Sequence, residues 1–598
     1  MAPLPTTAHV EHAPTPTPIP TTPPVEQKTS RIRKTAKLVA HHAAKHTGVG
    51  IVCAVAYFDP GNWGVDLQAG SEFGYKLLFV VLLAGLFAAF LQVLASRLGC
   101  VTGLDLASHC RLLLHDRPKH TLLYRWLMLY PLYVLAEIAI ISTDLAELLG
   151  SAIALCLLFP KLPLWAGVLI TASDVILLLA FRDPLGGKPV KMFEVLIAGL
   201  VLTVLICMAI IISKVSVDWG QAFDGFVPSK SLFKHGALYT SIGIIGATVM
   251  PHSLFLGSAL ATQDRLSIKM TEKQTDTLTT GVTSSTYTSD SQVTLSSATK
   301  TTTVEKRAIV NRVKRSFRAA FRIIPLREFA HDPKTHKDRE NNSYKFVRAH
   351  IYHGTFDIVF SLLGFAVLIN ALILILASAV FYYGSGAGSG GPAGLFDAYD
   401  LLKEVVGQAA ATLFALALLA SGQSSSLIAT MAGQTVSEGF LRWRVSPVCR
   451  RLITRCLGLI PSMVVAIAVG REGVDTLLVA SQVALSIVLP FIVFPLLWVT
   501  SSKDVMSVKR PIPPNVPLVP SPQPITESPS EPPVTETQSP SAPSAVAGLV
   551  ADVEAAPRET IVDYSNGKIA MAIGWTIWLI VLLANGYAIV ALALGQGD

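Results

Sequence analysis

Asp59-Pro60-Gly61-Asn62 stands in the middle of an apolar run, roughly Gly48 to Ala69, that is otherwise long enough to cross a bilayer. An ionised aspartate at membrane depth is costly and marks a functional site. Pro60 has no N–H to donate and Gly61 is flexible, so the helix breaks there. Asp59 and Asn62 can then use both their side chains and the freed carbonyls. A second break is written at Thr248-Val249-Met250-Pro251-His252-Ser253, inside the apolar run from about Leu238 to Ala261. With the two prolines aligned, Met250 falls on Asp59. Two broken helices, one early and one midway, predict a transporter of inverted repeats with its site at the breaks.

The donor types narrow the cargo. A carboxylate and an amide suit almost any cation, whereas a thioether favours transition metals over Ca²⁺ or Mg²⁺. Methionine is also common filler in membrane helices; its register with Asp59, beside a proline, singles out Met250. Val55-Ala-Tyr-Phe-Asp59-Pro-Gly-Asn-Trp63 and Gly246-Ala-Thr-Val-Met250-Pro-His252 resemble the two signature segments of the Nramp family of proton-coupled divalent metal transporters. The resemblance runs from about Gly48 to Thr500. Asp59 and Asn62 would supply hard oxygens and Met250 the soft sulfur. The carbonyls near Ala56 and Ala247 would complete the shell. Gln482, mid-way along the tenth apolar segment, is the best further candidate, and the resemblance agrees. Two positions depart from the family pattern. Ser253 stands where many members have Asn, and Gly257 where many have a second His, so no proton role resting on that histidine carries over.

Composition fits this class. Of 598 residues, 51% are hydrophobic and only 15% charged, which predicts a polytopic helical membrane protein. The formal net charge of +8 comes from basic residues scattered beside apolar spans. Positive-inside topology accounts for that better than nucleic-acid binding does. The seven cysteines form no CxxC pair and read as small buried hydrophobes. No GxxxxGK[ST] loop is present, which argues against a primary pump.

Eleven membrane segments are predicted: 47–70, 77–98, 124–158, 163–182, 191–213, 237–261, 354–383, 407–432, 452–470, 474–500 and 568–595. Residues 1–46 read as a disordered arm without a signal peptide. Transmembrane helices 1–6 occupy 47–261, helices 7–10 occupy 351–500, and helix 11 occupies 567–598. Between them lie a basic, largely disordered loop (262–350) and a disordered Pro/Ser-rich segment (501–566). Both are candidates for regulatory cytosolic partners. Arg307 to Arg327 has some helical periodicity, but a solvated basic loop is the plainer reading. Basic residues such as Arg31, Arg117, Lys188, Lys306 and Arg442 fall in alternate loops, all on one side of the membrane. The Gly/Ser-rich loop from Tyr383 to Leu401 has no Lys or Arg. This puts the N-terminus in the cytosol, and the sequon Asn341-Asn342-Ser343 on the same side, unglycosylated. Segments 1–5 and 6–10 form two five-helix halves. Five is odd, so the second half is inverted. The expected fold is all-α, LeuT-like, with two discontinuous helices and about eleven transmembrane helices.

Other polar residues inside the spans suggest a proton path. Glu137, Asp144 and Glu147 share one face of the third segment. Arg450 and Arg451, at the edge of the ninth, are the available partners. The resemblance implies a proton-exit network of such acids and arginines; a static ion-pair clamp is the alternative. His252, beside the second break, suits proton handling near neutral pH, as Asp59 does on meeting a dication. Asp357, Asn370, Gln423 and Gln434 read as gating or supporting hydrogen-bonders. The composite expectation is a non-enzymatic symporter importing Mn²⁺, Fe²⁺ or a similar ion with protons. Metal and protons are substrates, and no cofactor is called for. The host membrane is the plasma membrane or an endosomal or vacuolar one. A sodium-coupled amino acid symporter of the same architecture is one alternative, though an ionised Asp59 would repel a substrate carboxylate. A non-transporting metal sensor is the other.

Overall fold

The computed structural model describes residues 48–173, 191–234, 236–265, 333–384, 393–442, 446–470, 473–511 and 559–593. The arm 1–46, the end of the fourth predicted segment, the basic stretch containing Arg307 to Arg327 and the centre of the Pro/Ser-rich segment lie outside the described residues.

Helices make up most of the described chain. The first predicted segment is two helices, α1 (Val49–Val55) and α2 (Pro60–Phe73). Gly74, at φ 61°, ends α2, and a short turn leads into α3 (Leu78–Thr102). A short amphipathic helix, α4 (Leu106–Leu114), precedes α5 (Tyr130–Leu158), α6 (Leu164–Thr171) and α7 (Lys191–Ile212). The sixth segment is again split, into α8 (Ala237–Thr248) and α9 (Pro251–Leu260). Then come α10 (Tyr344–Tyr382), α11 (Leu395–Val405), α12 (Gln408–Leu441), α13 (Pro447–Ala468), α14 (Val474–Ser501) and α15 (Lys568–Ala593). Nine stretches among the described residues are long and apolar enough to span a bilayer; one of them, Pro60–Thr102, covers both α2 and α3.

Both breaks form for the reason the prolines suggest. Pro60 and Pro251 each open a helix, where the missing N–H costs nothing. The residue before each proline, Asp59 or Met250, is extended, as that position demands. Small residues then let the helices close on the first break. Gly150 of α5 abuts the Pro60 ring so closely that an added Cβ would overlap it. α5 packs along α12 and also meets α13 and α14, while α2 packs against α10, α8 and α14.

Several boundaries move from the sequence expectation. The seventh segment begins at Tyr344, ten residues early, because Ser343 caps it by accepting from Phe346 N at 3.4 Å. The Gly/Ser-rich loop runs into α11, whose Leu395, Ala398, Tyr399 and Leu402 are buried. The Pro/Ser-rich segment is ordered at both ends, where Ser507–Pro511 pairs antiparallel with Glu559–Asp563. The end of the basic loop is ordered too. Arg339 donates to Thr102 O and Gly103 O, and Asn342 to Cys100 O, so they take carbonyls left open at the end of α3. Asn341 donates to Val505 O and Ser507 O, both at 2.7 Å, so its amide is already engaged.

His109 of α4 holds this corner together. It is buried, shares a 2.9 Å hydrogen bond with Thr102 Oγ1 and a 2.8 Å one with His336 Nε2, and stacks on the His336 ring. Burial first, then the His336 ring and Arg339, push His109 well below the usual imidazole range. Burial first, then Arg339 and Arg117, lower His336 as well. Histidines that resist protonation when folded stabilise the docked state above about pH 6.5, and that contribution is lost as pH falls through this value. Amide exchange in 335–339, corrected for the intrinsic rate, is therefore expected to be faster at pH 5.5 than at pH 7.5. Equal protection at both values would refute the role of the pair.

Candidate functional site

The first break is built from its own backbone. The amides of Ala56, Tyr57 and Phe58 bond three residues back, to Cys53 O, Ala54 O and Val55 O, so α1 tightens before it unwinds. Asp59 then caps α2. Its Oδ1 accepts from Asn62 N at 2.9 Å and from Asn62 Nδ2 at 2.8 Å, the usual service of an N-cap aspartate. Its other oxygen, Oδ2, is buried and has no hydrogen-bond partner. Two carbonyls of the unwound stretch are held from other helices. Asn370 of α10 donates to Tyr57 O at 2.7 Å, and Ser421 of α12 to Phe58 O at 2.5 Å.

The second break meets the first directly. Asn62 Nδ2 also donates to Ala247 O at 3.0 Å, near the end of α8. Met250, completely buried, is the cap residue of α9 as Asp59 is of α2. Ser253 Oγ lies 2.9 Å from Met250 O and 2.7 Å from the Tyr57 hydroxyl, within hydrogen-bond reach of both. Gln482 of α14 leans over the break from the side. Its amide fills the space an added Cβ at Gly61 would need, and its Oε1 is buried without a partner. Asp59, Asn62, Ala247 and Gln482 are thus gathered from three helices, α2, α8 and α14. Ala56 and Met250 stand buried in the two unwound turns.

The Tyr57 hydroxyl donates to Gln92 Oε1 at 3.0 Å. The Gln92 amide nitrogen lies where a Gly257 side chain would project. The position that departs from the family pattern is thus filled from α3. Trp63 packs edge-on to Phe414, with ring centroids 5.3 Å apart. Asp357 accepts from Gly50 N at 2.7 Å and Gly48 N at 3.3 Å and fixes the start of α1, so it supports rather than lines the break.

A polar chain leads away from the site. His252 Nδ1 contacts Thr143 Oγ1 at 3.3 Å, and its Nε2 is buried without a partner. Next to Thr143 on α5, Asp144 forms an ion pair with Arg455 of α13. Glu147 is fully buried one turn on, while Glu137 is only half-buried. Arg450 pairs with Glu438 of α12 at 2.5 Å, and Arg451 donates to Gln434 Oε1 at 2.8 Å. Arg455 is therefore a partner of the third-segment acids that the sequence reading passed over, with Arg450 and Arg451 both engaged by α12. Its signal was spacing: Arg451 and Arg455 are four apart and share a helix face. Gln434 does join two helices. Asp66, seven residues beyond Asp59 on α2, was also missed; it is buried, and its Oδ2 has no partner.

Residues 50–291 and 322–511 match the model of the natural resistance-associated macrophage protein-like family, Nramp. The manganese transporter pdt1 of Schizosaccharomyces pombe is 39% identical over 553 residues, covering 92% of this chain and 86% of that protein. The iron transporter SMF3 of Saccharomyces cerevisiae is 33% identical over 566 residues, covering 92% and 97%. Among solved structures, a manganese transporter of Eremococcus coleocola superposes with a TM-score of 0.59 at 27% identity, over 90% of this chain and 85% of that one.

Proposed function

The chain belongs to the Nramp family, a multi-pass membrane transporter rather than an enzyme, and from that premise we propose that it imports divalent transition metal ions into the cytosol together with protons. Mn²⁺ and Fe²⁺ are the substrates favoured by its relatives' names. The observation that carries the proposal is Asp59 Oδ2: a carboxylate oxygen buried without a partner, on a break that Asn62 ties to the other break. A buried, unmatched anionic oxygen calls for a cation or a proton.

In this scheme Asp59 supplies the charge. Asn62 turns its amide oxygen to the metal, releasing its bonds to Asp59 and Ala247 O. The carbonyls of Ala56 and Ala247 and the side chain of Gln482 add oxygens, and Met250 adds sulfur. A dication beside Asp59 stabilises the carboxylate and releases its proton. That proton passes by His252 and Thr143 to Asp144 and Glu147, then toward Arg455, Arg450 and Arg451, with Glu137 at the half-buried end of the same helix. Rocking of one half-bundle against the other opens the breaks to either side in turn. The N-terminus lies in the cytosol, in a plasma, endosomal or vacuolar membrane. The basic loop and Pro/Ser-rich segment offer sites for regulatory partners.

The test is Mn²⁺ uptake into proteoliposomes with and without an inward proton gradient. Faster uptake with the gradient, internal acidification and weak competition by Ca²⁺ are expected. Mn²⁺ binding without flux would instead indicate a sensor, and Na⁺-driven amino acid uptake the other alternative.

Met250 makes a sharper prediction. Sulfur disfavours hard cations, so Met250→Ala is expected to strengthen Ca²⁺ inhibition of Mn²⁺ uptake about tenfold, ~1.4 kcal/mol. If Ca²⁺ competes no better with the variant than with the parent, the thioether has no part in selection.

A further inference from the structure

Pro490 lies inside α14 and has no amide hydrogen. The carbonyl four residues back, Ser486 O, therefore loses its helical donor, and hydrocarbon offers no water to replace it. The donor comes from α15, which belongs to neither five-helix half. Asn585 Nδ2 donates to Ser486 O at 2.6 Å, and Asn585 is buried. Seven residues earlier, on the same face of α15, Trp578 Nε1 donates to Pro490 O at 2.9 Å. The two bonds meet α14 at its proline.

Ser486 also faces the site. An added Cβ at Gly246 of α8 would overlap Gln482 O and crowd the Ser486 Cβ, so this turn of α14 is wedged between α8 and α15. One turn before Ser486, the Gln482 amide rests on Gly61, two residues from Asp59. Asn585 further leaves its Oδ1 buried without a partner. An apolar side chain would avoid that cost if the residue were only filling space.

We propose that Asn585 is a positioning residue for the transport site: by capping Ser486 O it fixes α14 at the turn interrupted by Pro490, and so sets the Gln482 amide against the first break. This rests on the metal-transport proposal and adds the eleventh helix to it.

The experiment is Mn²⁺ uptake by proteoliposomes of the full chain, normalised to folded protein, for Asn585→Leu, Asn585→Ala, Gln482→Ala and the Asn585→Leu/Gln482→Ala pair. Leucine keeps the bulk and suits the bilayer. Loss of one interhelical hydrogen bond is expected to raise KM about fivefold with little change in kcat. The pair should be no worse than Gln482→Ala alone, because Asn585 acts through that residue. An unchanged KM, effects that multiply in the pair, or failure of both Asn585 variants to fold would each overturn the positioning role. Asp59→Ala separates the two levels. Uptake that needs Asp59 but ignores Asn585 removes this proposal alone, whereas no Mn²⁺ uptake by the parent protein removes the metal reading and this proposal with it.

Discussion

Asp59→Ala is expected to abolish Mn²⁺ uptake, with a loss of about a hundredfold or more, ~2.7 kcal/mol. Asp59 brings the negative charge of the proposed ligand set, and its Oδ2 is free to meet a cation. The change also removes a helix cap, since Asn62 N loses its acceptor, which costs about 1 kcal/mol of stability. Removing a buried charge offsets part of that loss. The variant should therefore fold and reach the membrane while failing to transport. Asp59→Asn keeps an acceptor for Asn62 N but not the charge, and should fail nearly as badly. Uptake by either variant at the parental rate, per folded molecule, would end the scheme in which this carboxylate holds the metal.

Arg455→Ala is the second large effect, on stability. The side chains of Arg455 and Asp144 are 3% and 4% exposed, so the pair is buried on both sides. Taking away one member of such a pair costs about 3–5 kcal/mol, because a desolvated charge is left behind. A clearly lower thermal midpoint in detergent is expected, and Asp144→Asn/Arg455→Met should regain most of it. Arg455→Lys keeps the charge but not the planar fork and should fall between. A single variant as stable as the parent would show that the pair holds nothing together. The rescued double variant then separates a proton path from a clamp. Folded protein whose Mn²⁺ uptake no longer responds to the proton gradient supports the path. Folded protein with parental coupling makes the pair a clamp.

The parts of this protein legible in the sequence are those written in consecutive residues. Pro60 and Pro251 break their helices wherever they are placed, and each fixes the extended backbone of the residue before it. The apolar runs are set by length and composition alone. α11 was also legible, because Leu395, Ala398, Tyr399 and Leu402 follow helical spacing, but the Gly/Ser-rich stretch before it obscured the signal. The strand ends at Ser507–Pro511 and Glu559–Asp563 were hidden differently, since each needs the other to bury its backbone groups.

The spacing of Pro60 and Pro251 in the chain determined that there are two breaks, and that a carboxylate and a thioether occupy equivalent places in them. Which side chains attend those breaks was decided only in three dimensions. Asn370 on Tyr57 O, Ser421 on Phe58 O, Gln482 over Gly61 and Asn585 on Ser486 O all join residues far apart in sequence. The pairing of Arg455 with Asp144 was decided for the same reason. Each residue along a helix rotates its side chain by about 100°, so a partner is chosen by how the helix is turned about its axis. That rotation is set by close packing at small residues such as Gly150 and Gly246, and no local stretch of sequence encodes it.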